Sequence, residues 1–164
     1  MYGRVALSWL LLVLPGVIRA AAPAARPLCT TGETTYFSCA TTGHATISLC
    51  GVLPGTLQYR YARAGKVLLR FPANAEEGVQ QFGYAHYSRY QTDRSEVSFT
   101  AEGTDYALFD YLDHGKRSAG VQLTGADGAE HELVCTGPIH GRLAPLAKSL
   151  RCDSDSALNG GRCP

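Results

Sequence analysis

Residues 56 to 72 read Thr56-Leu57-Gln58-Tyr59-Arg60-Tyr61-Ala62-Arg63-Ala64-Gly65-Lys66-Val67-Leu68-Leu69-Arg70-Phe71-Pro72, and this stretch decides the fold class. From Thr56 to Arg63 apolar and polar side chains alternate, with Leu57, Tyr59 and Tyr61 on one side and Gln58 and Arg60 on the other. A period of two is the period of a strand, not of a helix. Ala64-Gly65-Lys66 supplies a turn and Val67 to Phe71 the returning strand. Pro72, which has no N–H to give to a ladder, ends it. The expected element is an antiparallel hairpin with one buried face and a basic face in water.

The same grammar repeats on both sides. Thr35 to Ala40 and Ala45 to Cys50 flank a turn at Thr42-Gly43-His44. Residues 72 to 79 read as a loop, and Gln81 to Tyr90 as a long tyrosine-rich strand. Glu96 to Thr100 and Asp105 to Leu112 flank a turn around Glu102-Gly103. Ala119 to Thr124 and Glu130 to Cys135 follow, set off by His114-Gly115-Lys116 and Ala126-Asp127-Gly128. Short strands at this spacing predict an all-β domain over residues 35–135, an antiparallel sandwich or small barrel. Beyond it, residues 136–164 are expected to form a short C-terminal helix (Gly141 to Leu150, interrupted by Pro145) and a polar, glycine-rich tail from Asp153 to Pro164 tied down by a disulfide.

The first residues set the compartment. Arg4 gives a basic start, Val5 to Leu14 is an apolar run, Pro15-Gly16 breaks it, and an alanine-rich stretch runs from Ala20 to Ala25. These are the parts of a secretory signal, and the run is too short to span a bilayer. Residues 1–20 are expected to be a signal peptide, with cleavage after Ala20 or after Ala24, leaving residues 21–34 as an N-terminal segment. The expected location is periplasmic or secreted, with no membrane span after signal removal. The chain has 15 basic and 14 acidic residues, and the signal removes Arg4 and Arg19 but no acid. A near-neutral remainder lacks the basic excess of a nucleic-acid binder.

All six cysteines follow the signal, and in an exported chain an even number reads as three disulfides. No two stand at the spacing of a structural zinc site. Alternation narrows the 15 possible pairings. Cys39 shares a strand face with Phe37, and Cys135 shares one with Leu133, so both point to the apolar side. Cys50 lies on the opposite face from Leu49, within reach of the segment that carries Cys29. Cys152 and Cys163 then remain to close the tail. The favoured set is Cys39–Cys135, Cys29–Cys50 and Cys152–Cys163.

Motifs of catalysis are not found. His44, His86, His114, His131 and His140 make no metal-ligand spacing, and no metal or other cofactor is expected. Asp153-Ser154-Asp155-Ser156 lacks the later positions of a calcium loop. The acids Glu96, Glu102 and Asp105 gather around one turn, where hairpin solubility accounts for them. Tyr84, Tyr87, Tyr90, Tyr106 and Tyr111 stand among Arg89, Arg94, Arg117 and His86. Tyrosine with arginine is the composition of a protein-binding patch, while tyrosine is equally a strand residue that buries its ring.

The ordering Cys29…Phe37-Ser38-Cys39…Ser48-Leu49-Cys50, then Leu57-Gln58-Tyr59-Arg60-Tyr61, Gly65-Lys66, Phe71-Pro72 and Tyr106 resembles a group of short exported bacterial proteins of unknown function. A weaker likeness is to the periplasmic inhibitors of c-type lysozyme, small signal-bearing β-barrels that plug the enzyme cleft with a Ser-Gly-x-x-Tyr loop and a Lys-Gly segment. Here Gly103-Thr104-Asp105-Tyr106 matches the Gly-x-x-Tyr part. Glu102 stands at the serine position, and Gly115-Lys116 replaces Lys-Gly. The sequence thus leads to an exported binding protein of the bacterial envelope that captures another envelope or secreted protein, or inhibits a secreted or host enzyme such as lysozyme. Its candidate contacts are Glu102, Gly103, Tyr106, Arg89 and Tyr90. The alternative is an envelope-maintenance or structural protein without a tight partner, and the third reading is an enzyme of unknown class.

Overall fold

Eleven strands carry the described part of the chain, residues 26–163 of a computed structural model. The expected signal segment and both its cleavage positions lie outside the described residues. The first four strands are β1 (Thr34–Thr41), β2 (Ala45–Val52), β3 (Thr56–Arg63) and β4 (Lys66–Phe71). β5 (Gly83–Arg89), β6 (Thr92–Ala101), β7 (Thr104–Asp113), β8 (Lys116–Thr124) and β9 (Glu130–Val134) follow, with the two-residue strands β10 (His140–Gly141) and β11 (Arg151–Cys152). They form two sheets, ordered β10-β1-β2-β3-β4 and β11-β5-β6-β7-β8-β9. All pairings are antiparallel except β11 with β5.

The sheets pack as a sandwich because alternate positions are apolar on both. Phe37, Ile47, Leu49 and Tyr59 from the first sheet and Val97, Phe99, Leu108 and Val121 from the second belong to one buried cluster. Phe99 sits at its centre, stacked on Phe71 at 4.5 Å and on Tyr106 at 4.7 Å, with Tyr59 at 5.1 Å. Offset and tilted rings at such distances hold more than their buried area alone provides. Leu143 and Leu146, from the segment after β10, complete the core.

Along one side the two sheets are joined. The Thr42 N–H donates to the Val134 carbonyl (2.9 Å) and the Thr136 N–H to the Ala40 carbonyl (2.9 Å). Thr41 bridges Cys135, and β10 then pairs with Phe37 and Ser38. The chain that ends the second sheet therefore runs on along the first, as a strand that switches sheets at a corner. The Cys39–Cys135 disulfide fixes this corner, with Cα atoms 5.6 Å apart. Cys29–Cys50 and Cys152–Cys163 complete the set that the alternation of side chains favours.

Three two-residue hairpin turns place a non-glycine residue and then glycine at positive φ: Ala64-Gly65, Glu102-Gly103 and His114-Gly115. This is the turn whose twist matches two-residue hairpins.

Two expectations are corrected and two are made more specific. The polar face of β3 is not in water: Gln58 and Arg60 are each 5 % exposed. The N-terminal segment lies over them, and Glu33 faces Arg60 at 2.6 Å. Residues 72 to 79 are not simply a loop, because they hold a 3-10 turn at Ala75–Glu77 and begin a helical turn at Gly78–Gln81. A Cβ on Gly78 would stand 1.7 Å from the Leu57 carbonyl oxygen, so only glycine lets this turn lie against β3. The short C-terminal helix expected within Gly141 to Leu150 is a 3-10 helix at Ala144–Lys148, with Pro145 in its first turn. The tail is more than a tether. It carries its own 3-10 turn, Ala157–Asn159, and caps the edge of β5.

Candidate functional site

The second sheet has two ends of opposite character. Because β5 to β9 run up and down in order, the β5–β6 and β7–β8 turns meet at one end and the β6–β7 and β8–β9 turns at the other. β6 is ten residues long, which sets the ends about 30 Å apart. Arg89 and Tyr90 therefore stand at one end, and Glu102 and Gly103 at the other. The structure does not bring the five candidate contacts into one surface.

At the first end the two turns are held side by side. The His114 N–H donates to the Gln91 carbonyl (2.7 Å), and His114 Nδ1 lies 3.0 Å from Gln91 Oε1. Both residues have left-handed backbones, φ 58° at Gln91 and 49° at His114. Such a conformation costs a residue with a Cβ roughly 1–2 kcal/mol. The β5–β6 turn is Tyr90-Gln91, with no glycine to relieve it. Tyr90 is 87 % exposed, and Tyr87 and Leu112 are also exposed. The Arg89 guanidinium lies 5.9 Å from the Tyr87 ring centre. A shallow depression of about 280 Å³ runs between the turns, bounded by Arg89, Gln91, Leu112 and Gly115.

Charge at this end is partly cancelled and partly free. Arg94 pairs with Asp113 at 2.9 Å, and Arg117 with Asp110 at 2.7 Å. The Arg94 guanidinium holds the Asp113 carboxyl below its ordinary range. His86 lies 3.4 Å from Asp93. Arg89 and Lys116 are exposed and make no ion pair among the described residues. The surface thus offers two exposed rings, an exposed leucine and two free cations on a braced scaffold. Tyrosine and arginine among them are enriched at protein interfaces.

The second end is acidic, with Glu102, Asp105, Asp127 and Glu130 all exposed. Tyr106 does not belong to its surface. It shares the inner face of the sheet with Leu108, and its ring lies 3° from parallel with Phe99. Burial, and then the charge of Glu102, raise its hydroxyl above the ordinary tyrosine range. The Asp105 carboxylate accepts from the Thr100 hydroxyl (2.6 Å). Glu96, six residues up β6, accepts from the hydroxyls of Tyr111 and Ser156. Burial, and then Glu96, keep the Tyr111 hydroxyl protonated well beyond its usual range. Glu102 stands apart on its turn, while Glu96 and Asp105 both line a groove along the outer face.

A groove of about 610 Å³ separates the outer face of this sheet from the C-terminal segment, lined by Glu96, Ser98, Asp105, Gln122, Arg151 and Asp153 among others. The Ser98 hydroxyl donates to the Asp153 carboxylate, and the Asp153 N–H donates to the Tyr84 carbonyl (2.9 Å).

Of the five tyrosines singled out by composition, Tyr84 is buried and Tyr106 and Tyr111 are half-buried, which leaves Tyr87 and Tyr90 as the surface pair. Sequence reasoning missed Gln91, Leu112 and His114, since their meeting depends on β6 lying beside β7. The one visible signal was the β5–β6 turn, where glycine is missing. No protein-family model, curated protein or solved structure matches this chain.

Proposed function

We propose that the chain is an exported binding protein of the bacterial envelope, periplasmic or secreted, that holds another envelope or secreted protein by its paired hairpin tips. Three disulfides, with no free cysteine among the described residues, belong to an oxidising compartment outside the cytoplasm. The observation that carries the binding role is Tyr90. A large ring stands almost wholly in water on a turn that bears backbone strain and is braced from the neighbouring turn. A strained, over-determined position is a reason to look for function there. Exposed tyrosine and arginine are the residues that dominate binding energy at protein interfaces.

A photo-reactive phenylalanine analogue placed at position 90, and separately at Val52 as an exposed control, tests the reading in cells. A discrete adduct with one envelope protein from position 90 alone is expected, weakened by Arg89→Ala. Adducts absent from both positions, or the same at both, would favour the envelope-maintenance or structural alternative.

The narrower reading, inhibition of a c-type lysozyme by the Glu102-Gly103-Thr104-Asp105-Tyr106 turn, meets two obstacles. The Tyr106 ring is packed on Phe99 rather than offered outward. Glu102 and Asp105 would approach a cleft that works with two carboxylates of its own, and like charges in a desolvated site repel or force a proton onto one of them. A turbidity assay across pH decides the matter. Inhibition that strengthens toward pH 5 would restore this turn as the contact.

A further inference from the structure

Followed from hydrogen bond to hydrogen bond, the two sheets make one ribbon: β4, β3, β2 and β1, then through the corner to β9, β8, β7, β6 and β5. Such a ribbon has two edges, and an edge with unpaired backbone groups is a template for another strand. At β5 the edge is covered. β11 pairs with Gly83 and Tyr84, the Asp153 N–H donates to the Tyr84 carbonyl, and the His86 N–H donates to Asn159 Oδ1 (3.2 Å). At β4 the outer edge is bare: its backbone pairs with β3 and, among the described residues, with nothing on the other side.

The chemistry of the bare edge selects its occupant. Residues 56–71 hold Arg60, Arg63, Lys66 and Arg70 and no acid. Glu33 takes Arg60, while Arg63, Lys66 and Arg70 are exposed and make no ion pair among the described residues. Between Lys66 and Arg70 stands Leu68, 56 % exposed beside the register shift that separates the pairs Ala62–Val67 and Tyr61–Leu69. A second copy adding antiparallel about Leu68 would set Lys66 against Arg70 of its partner, and like charges directly opposite one another destabilise a strand pair. An extended segment with acids flanking an apolar residue meets the same positions with opposite charge.

We propose that β4 receives an extended acidic segment of a partner protein by strand addition, with backbone hydrogen bonds along the edge and carboxylates opposite Lys66 and Arg70. The site is separate from the paired hairpin tips and does not depend on their reading. The probe is the peptide acetyl-Glu-Thr-Val-Thr-Glu-amide, whose alternate positions carry acid, apolar and acid, titrated into oxidised, isotope-labelled mature protein, with the lysine counterpart acetyl-Lys-Thr-Val-Thr-Lys-amide as control. Amide signals from Lys66 to Phe71 should shift and exchange more slowly with the acidic peptide only. Lys66→Glu with Arg70→Glu should invert the preference. If that variant disturbs the signals of β6 to β8, Lys66→Gln with Arg70→Gln serves instead, and the shift should be lost. Equal response to both peptides, no response, or shifts centred elsewhere overturn the proposal. So does protection of β4 in the protein alone as its concentration and hydrodynamic size rise, which would make a second copy the occupant.

Discussion

Residues 26–33 and residues 151–163 flank the sandwich; one disulfide ties the first to β2, another closes the second on itself, and what lies beneath them differs as well. Under the N-terminal segment is a desolvated charge. The Arg60 guanidinium donates twice to Glu33 at 2.6 Å, to the Leu28 carbonyl at 2.9 Å and to Gln58 at 2.8 Å. Beside it the Leu28 N–H reaches Ser48, which meets Ser38 at 2.7 Å. Under the C-terminal segment the contacts are half-wet and, among the described residues, carry no ion pair: Ser98 with Asp153, Ser156 with Glu96, and Asn159 with backbone. The disulfides span 21 and 11 residues, and loop entropy alone would separate them by only about 0.5 kcal/mol. A larger gap in measured stability must come from the buried pair. One covalent device therefore makes one segment part of the cooperative fold and the other an edge cover.

The sharpest way to break this comparison is Glu33→Ala set against Asp153→Ala in urea unfolding. The first leaves Arg60 buried without its partner, and an uncompensated charge of that kind costs about 3–5 kcal/mol. The second removes a half-exposed contact and should cost under about 1 kcal/mol. Similar losses would show the two segments to be equivalent.

Acid gives the next effect. The hydrogen bonds from Arg60 hold the Glu33 carboxyl down, from 4.5 to about 2. A carboxyl depressed in the folded state stabilises above its unfolded value and loses that contribution as pH falls through its folded value. About 3 kcal/mol should disappear between about pH 4.5 and pH 2, and Glu33→Gln should flatten that part of the stability profile. A slope that survives in Glu33→Gln would assign the effect to other groups.

Removing Cys152–Cys163 by paired serine substitutions should cost about 2–3 kcal/mol or less. Amide exchange should quicken in residues 153–163 and along β5 while β1 to β3 stay protected. Removing Cys29–Cys50 should quicken exchange in β1 to β3 as well. The smallest effect belongs to Tyr90→Ala. At an exposed tip it should change stability by less than about 0.5 kcal/mol, while weakening the adduct formed when the photo-reactive analogue is placed instead at exposed Leu112. A larger loss would mean that the tip serves the fold.

The strands and the disulfides were legible because both depend on the period of two. Phe37 with Cys39 and Leu133 with Cys135 show their faces without any tertiary information. Arg60 was illegible for the opposite reason. By period it belongs to an outer face, and only the N-terminal segment, with Glu33 27 residues upstream, turns that face inward. Tyr106 was misplaced by its motif, although it lies directly opposite Phe99 and so shares its face. β10 and β11 are two residues each, too short to carry a pattern. The meeting of Gln91 with His114 needed the order of the strands in the sheet, which no local signal contains.

The corner disulfide also has a history written into it. Cys39 lies between Cys29 and Cys50 in sequence but pairs with Cys135, 96 residues further on. A chain that reaches an oxidising compartment N-terminus first presents Cys29 and Cys39 together, well before Cys135 arrives. Oxidation in order of emergence joins Cys29 to Cys39, and the native set is reached only by thiolate exchange through a mixed disulfide. Mass mapping of early oxidation products, without and with a disulfide isomerase, should find the Cys29–Cys39 species in the first and its conversion hastened in the second. Maturation of this small domain is then limited by reshuffling, and its yield should track the isomerase supplied rather than the oxidant.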